Sequence, residues 1–92
     1  MPRVRLKPSA QEDLIGLAPN EYSAAWGIID YLSRNPGEGI LVSPLQFELD
    51  PVLDSPCTVY ERSIAPGRVL AVYFEVEAGA LTVKRVVPYW RL

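Results

Sequence analysis

The stretch Arg68-Val69-Leu70-Ala71-Val72-Tyr73-Phe74-Glu75-Val76, followed after Glu77-Ala78-Gly79-Ala80 by Leu81-Thr82-Val83-Lys84-Arg85-Val86-Val87, decides how this chain must fold. Both runs are rich in β-branched and aromatic residues, which suit a pleated, half-buried surface. The residues between them are few enough for a hairpin loop, and Gly79 is free to adopt positive φ. Along the first run Leu70, Val72, Phe74 and Val76 share one face, while Ala71, Tyr73 and Glu75 share the other. One face therefore demands a core. The other is mixed enough to meet solvent or a partner, and the remaining chain must supply the cover for the apolar side.

Upstream, Cys57 to Ile64 reads as a further strand with Tyr60 and Arg62 on one side, turned into the hairpin by Ala65-Pro66-Gly67. Ile40-Leu41-Val42 is a short apolar run. Leu45, Phe47 and Leu49 alternate with Gln46, Glu48 and Asp50, which predicts a strand or an extended rim, kept short and peripheral by Pro44, Pro51 and Pro56. The acids of this middle region read as a solvated connection.

The start of the chain supplies the cover. Arg3 to Lys7 alternates, with Val4 and Leu6 on one side and Arg3, Arg5 and Lys7 on the other, the pattern of a half-buried edge strand whose charges discourage aggregation. Pro8 ends it. Ser9 with Glu12 predicts a capping box opening a first helix that turns Leu14, Ile15 and Leu17 inward and stops near Ala18-Pro19. Glu12 and Asp13 read as favourably placed first-turn acids. A second helix is predicted from Asn20 as N-cap, with Glu21 in its first turn. Tyr22, Trp26, Ile29 and Leu32 recur at helical spacing, widened by Ala25 and Ile28, and read as the face packed on the sheet. Gly27 predicts a close approach, and Asn35-Pro36-Gly37 ends the segment.

Ninety-two residues, 49% of them hydrophobic, fit one small domain over residues 1–92 rather than a disordered chain. No apolar run is long enough to span a bilayer, and the opening residues predict no signal peptide, so a cytoplasmic protein without membrane association is expected. The lone Cys57 cannot form an internal disulfide, and with no histidine in the chain nothing is available to activate it as a nucleophile. No phosphate-binding glycine loop is present and metal ligands are few, so no cofactor and no metal are expected. The net charge of −2 argues against a general nucleic-acid binder. The charge is uneven, however: residues 38–54 carry only acids, while Arg62, Arg68, Lys84, Arg85 and Arg91 fall in the sheet region.

The resulting fold class is α+β: an N-terminal helical hairpin packed on one face of a small twisted antiparallel β-sheet. This order resembles that of the RelE/ParE superfamily of type II toxin–antitoxin systems. Lys7-Pro8-Ser9-Ala10-Gln11-Glu12-Asp13-Leu14 looks like the family's strand-to-helix opening, and Ile29-Asp30-Tyr31-Leu32-Ser33-Arg34-Asn35-Pro36-Gly37 like the end of its second helix. Pro66-Gly67-Arg68-Val69-Leu70-Ala71-Val72-Tyr73 resembles its glycine, arginine and valine-tyrosine strand, and residues 81–91 its final strand and basic end. Together these segments cover nearly the whole chain.

The resemblance implies the toxin of a toxin–antitoxin pair. Members of one branch cleave mRNA in the ribosome and members of the other poison DNA gyrase; both are neutralised by an antitoxin that wraps the toxin. The partners implied are a cognate antitoxin and either ribosome-bound mRNA or gyrase, with a homodimer or a heterotetramer with antitoxin as the assembly. A metal-independent endoribonuclease needs a base, an acid for the leaving oxygen and cations for the charge gathering on the phosphate as the ribose 2′-oxygen attacks. Without histidine, the resemblance places these roles on Arg68 and Arg91 as the cations and on Tyr89 or Lys84 as the proton carrier. Translation inhibition by mRNA cleavage is the leading expectation. A gyrase-directed toxin and a non-catalytic protein-binding module of the same fold are the alternatives.

Two expectations concern side-chain direction. Arg85 shares its parity with Leu81, Val83 and Val87, so it should point toward the helices unless a bulge intervenes, and would then need Asp13 or Asp30 as its acid. Lys84 and Thr82 should lie on the opposite, more exposed face, and exposed apolar surface is expected along that face or a helix groove, where an amphipathic segment could lie.

Overall fold

The computed structural model describes residues 3–42 and 57–91. In chain order the elements are β1 (Arg3–Leu6), α1 (Pro8–Ile15), α2 (Pro19–Arg34), β2 (Ile40–Val42), β3 (Cys57–Ala65), β4 (Arg68–Glu77) and β5 (Ala80–Trp90). The strands form one sheet in the order β1-β5-β4-β3-β2, and both helices lie on one of its faces. The chain is α+β, as its periodicity predicts. The sheet is mixed rather than antiparallel, because β1 runs parallel to β5 while the other pairs are antiparallel. The reason is connectivity: the two-helix crossover delivers β2 at the opposite edge running against β1, and the three antiparallel reversals from β2 to β5 bring β5 back alongside β1 in its own direction. The alternation at Leu45, Phe47 and Leu49 lies outside the described residues.

The helices start two residues earlier than the sequence suggests. Each begins on a proline, Pro8 and Pro19, after an extended residue, Lys7 or Ala18, that offers no side-chain cap. Proline suits this position because its fixed φ is already helical and its missing N–H would have had no partner. Ser9 is therefore inside α1, not at its cap, and its hydroxyl donates to the Lys84 carbonyl at 2.7 Å. The buried positions of α1 are Ala10 and Leu14, while Ile15 is 83% exposed, so it does not face inward.

In α2 the buried stripe is Ala25, Ile28, Ile29 and Leu32. Tyr22 and Trp26 stand to its side, both exposed, in an edge-to-face pair with centroids 6.4 Å apart. Gly27 has open space where a Cβ would sit, so it marks no close approach. It lies on the outer surface of the helix.

Leu70, Val72 and Phe74 of β4 and Leu81, Val83 and Val86 of β5 meet the helix stripes in one core. Between Val83 and Val86 the alternation breaks. Phe74 is registered with Val83 and Tyr73 with Arg85, leaving Lys84 as the extra residue of a β-bulge. The bulge lets both Val83 and Val86 face the helices although they are three positions apart, an offset that would place them on opposite faces of a regular strand. The far face of the sheet is also covered where Val69, Ala71, Thr82 and Lys84 lie, all buried. This corrects the expectation of an open second face with an exposed Lys84 and Thr82. Among the described residues the exposed large apolar side chains are instead Val4, Ile15, Tyr22, Trp26, Ile40, Val76 and Trp90.

Candidate functional site

The hairpin between β4 and β5 turns through Ala78 and Gly79, both at positive φ, so the strands pair closely from Arg68↔Trp90 to Glu77↔Ala80. That register fixes the sheet face of every candidate side chain. Arg68 opens β4 on the helix side. Its Nε donates to Glu21 Oε2 at 2.7 Å, and its guanidinium lies over the Trp90 ring at 4.8 Å. The Arg68 guanidinium holds the Glu21 carboxyl below the usual glutamate range, chiefly through this hydrogen bond.

Tyr89 is across from Val69, on the face away from the helices. Arg91 follows β5, anchored by its backbone N–H to the Gly67 carbonyl at 2.7 Å. Its Nη2 donates to the Tyr89 hydroxyl at 2.9 Å and to Glu61 Oε2 at 3.1 Å. Arg91 and Tyr89 are thus together. Arg68 is at the same end of the sheet but on its other side.

Lys84 belongs to a different place. It is buried, and its Nζ lies 3.2 Å from Glu75 Oε1. It is five positions along the strand from Tyr89, roughly 16 Å at the usual rise. No single phosphate could meet Arg68, Lys84, Tyr89 and Arg91 at once. Each of the three candidate cations already has a carboxylate, Glu21, Glu75 or Glu61.

Arg85 reaches Asp13 of α1, one of the two acids expected for it, while Asp30 is engaged by Arg34 one helical turn away. The remaining sheet cation, Arg62, is held differently. It lies over the rings of Tyr31 at 5.1 Å and Tyr60 at 5.4 Å, and its Nη2 donates to the Tyr60 hydroxyl at 3.0 Å. Tyr31 donates its own hydroxyl to Glu38 Oε1 at 3.1 Å, which raises its pKa by favouring the protonated form. Sequence periodicity puts Tyr60 and Arg62 on one side of a strand, as observed. It holds no signal for Tyr31, which joins them only through the packing of α2 on β3.

Beside this cluster a hollow of ≈ 360 Å³ is lined by Glu38, Gly39, Ile40, Val59, Tyr60 and Glu61. Its charged lining is acidic, which suits neither a phosphate nor a carboxylate ligand. Among the described residues no group of three or more His, Cys, Asp or Glu could hold a metal ion, and no helix is long and apolar enough to cross a membrane. Burial raises the pKa of the Cys57 thiol, so it is not poised as a thiolate.

Comparison with protein-family models, curated proteins and solved structures finds no match.

What the arrangement can do chemically follows from its pairing. A guanidinium already bonded to a carboxylate must surrender that partner before it can stabilise a phosphate, and the displaced carboxylate then repels the phosphate. Arg91 is the candidate with the most accessible head, its side chain 59% exposed. Arg68 and Lys84 are placed to hold elements together.

Proposed function

We propose that this chain is the toxin of a type II toxin–antitoxin pair of the RelE/ParE kind, and that it works by gripping a protein target rather than by cutting RNA. The observation that carries the second half is the neutralisation of Arg68, Lys84 and Arg91 by Glu21, Glu75 and Glu61, with the sheet between the first and the last. The first half rests on resemblance in sequence, supported by the element order of strand, helical hairpin and strands, with the hairpin on one sheet face. The outer side of the hairpin offers Ile15, Tyr22 and Trp26 to a partner, large side chains that enrich protein interfaces.

Induced expression tests this reading. Growth should arrest, coexpression of the neighbouring gene should restore it, and transcript ends should be unchanged while DNA supercoiling relaxes or breaks accumulate. Cleaved messages would move the chain to the RNA-cleaving branch, where Arg91 and Tyr89, the two candidates in contact, would carry the chemistry. Harmless overexpression without a rescuing neighbour would remove the toxin altogether and leave a protein-binding module.

A further inference from the structure

β1 ends the sheet, and its backbone is only half used. Lys7 N–H donates to the Val83 carbonyl at 3.0 Å, and Leu6 is registered with Val83 in a parallel pair. With a two-residue period, Arg3, Arg5 and Lys7 turn their backbone groups to β5, and Val4 and Leu6 turn theirs outward. The outward Leu6 carbonyl accepts from Gln11 Nε2 at 3.3 Å. Val4 N–H, Val4 C=O and Leu6 N–H have no such partner among the described residues. Val4 itself is 39% exposed.

The charges of this edge are unlike those elsewhere in the protein. Arg34, Arg68, Lys84, Arg85 and Arg91 each have a carboxylate within salt-bridge distance, and Arg62 is held over the Tyr31 and Tyr60 rings. Arg3 and Arg5, on one face of β1, are exposed and have none among the described residues. Lys7 shares their face, is exposed, and likewise has no carboxylate within salt-bridge distance among the described residues. A chain whose net charge is −2 thus sets three exposed cations, with no carboxylate in salt-bridge distance among the described residues, along a strand edge with open hydrogen-bonding groups.

We propose that this edge is a docking strip for an extended acidic segment of a partner protein, which adds to the sheet as a further strand. Val4 would exchange both of its backbone bonds with the incoming strand, and acids at alternate positions of that strand would face Arg3, Arg5 and Lys7. The same cations reject a second copy of β1, since edge-to-edge pairing would set arginine against arginine. The strip therefore selects by charge as well as by shape. Its existence does not depend on the toxin reading.

The test uses the full chain with a short peptide alternating Glu and Val, and a counterpart alternating Lys and Val. The acidic peptide should slow hydrogen exchange at the Val4 and Leu6 amides, and the lysine peptide should not. Val4→Pro removes an outward N–H that β5 does not use, so the Lys7 amide stays protected while the acidic peptide binds about tenfold or more weakly. Reversing Arg3 and Arg5 together to Glu should transfer the preference to the lysine peptide. The proposal is overturned if the acidic peptide leaves both amides unprotected at saturating concentration. Equal binding to Val4→Pro would place the peptide elsewhere and overturn it too. So would a single-stranded RNA that displaces the peptide at lower concentration, because the cations would then be reading phosphates.

Discussion

Asp13 and Arg85 join α1 to β5 by a two-pronged ion pair: Arg85 Nε lies 2.7 Å from Asp13 Oδ2 and Nη2 lies 3.1 Å from Oδ1. The same carboxylate accepts the Val86 N–H at 2.9 Å. β1 ends at Leu6, so beyond Val83 the flank of β5 has no strand beside it among the described residues. Ser9 and Asp13 of α1 serve there in its place, bonding Lys84 and Val86 around the bulge. Asp13→Ala takes two hydrogen bonds from a half-buried guanidinium and the acceptor from the Val86 N–H, and should cost about 3 kcal/mol. Asp13→Asn should cost less, and adding Arg85→Ala to Asp13→Ala should cost less than the sum. Urea denaturation of the single and double variants measures this coupling.

Gly39 is the position where a side chain fits worst. Its φ is +104°, and an added Cβ would lie 2.6 Å from Thr58 Cγ2 and 2.7 Å from the Val59 carbonyl oxygen. The second neighbour is backbone in β3 and cannot step aside cheaply. Gly39→Ala should therefore loosen β2 from β3 and cost about 2 kcal/mol or more. Faster amide exchange in residues 40–42, with β4 and β5 still protected, would locate the damage.

The Glu21–Arg68 pair predicts part of the acid sensitivity. The Glu21 carboxyl has a lower pKa folded than unfolded, where its ordinary value is about 4.5. The native state then binds fewer protons, so the pair's stabilisation is complete above about 4.5 and is lost as pH falls through the depressed folded value. Glu21→Gln should lower stability by about 1 kcal/mol at neutral pH and flatten the acid limb. Thermal melts of both proteins from neutral to acid pH would show the two curves converging at the acid end.

Lys84 and Arg91 should separate on truncation. The Lys84 side chain is 7% exposed and its partner Glu75 sits on the same covered face, so Lys84→Ala should cost about 2 kcal/mol or more. Arg91 is an exposed pair with Glu61, and Arg91→Ala should stay within about 1 kcal/mol. Should arrested growth require Arg91 at unchanged stability, that arginine touches the target. Loss of function in Lys84→Ala alone reports the fold. Chemical denaturation beside the growth assay distinguishes the two.

Ala78 holds φ +49° beside Gly79 at +77° in the β4–β5 turn. A Cβ is disfavoured there, whereas glycine or asparagine is at ease. Ala78→Gly should raise stability by about 0.5 kcal/mol despite its cost in the unfolded chain. A higher urea midpoint with an unchanged m-value checks it.

The parts of this structure legible beforehand are those governed by local periodicity. Leu70, Val72 and Phe74 alternate into a core, the residues after Cys57 form a strand with Tyr60 and Arg62 together, and Asn35 ends the second helix. The misreadings came where two local signals competed. Ser9 fits a capping box, yet Pro8 already sets the first helical φ and releases the hydroxyl to Lys84. Tyr22 and Trp26 share the spacing of Ile29, but the smaller Ala25 with Ile28 allows α2 to approach the sheet more closely along a neighbouring stripe. In the candidate site, the closeness of Arg91 to Tyr89 follows from strand alternation. The carboxylates that hold Arg68 and Arg91 come from 47 and 30 residues away and have no local signature.

The order of residues by itself determined the α+β class, the hairpin, the edge position of β1 and the helix-facing side of β4, because alternation and helical period are properties of neighbours. Only the tertiary structure decided that β1 runs parallel to β5, that a bulge at Lys84 restores the inward face, and that each candidate cation is neutralised. Those features depend on groups brought together by the crossover of the helical hairpin, and the distance between two such groups in space is not encoded by their separation along the chain.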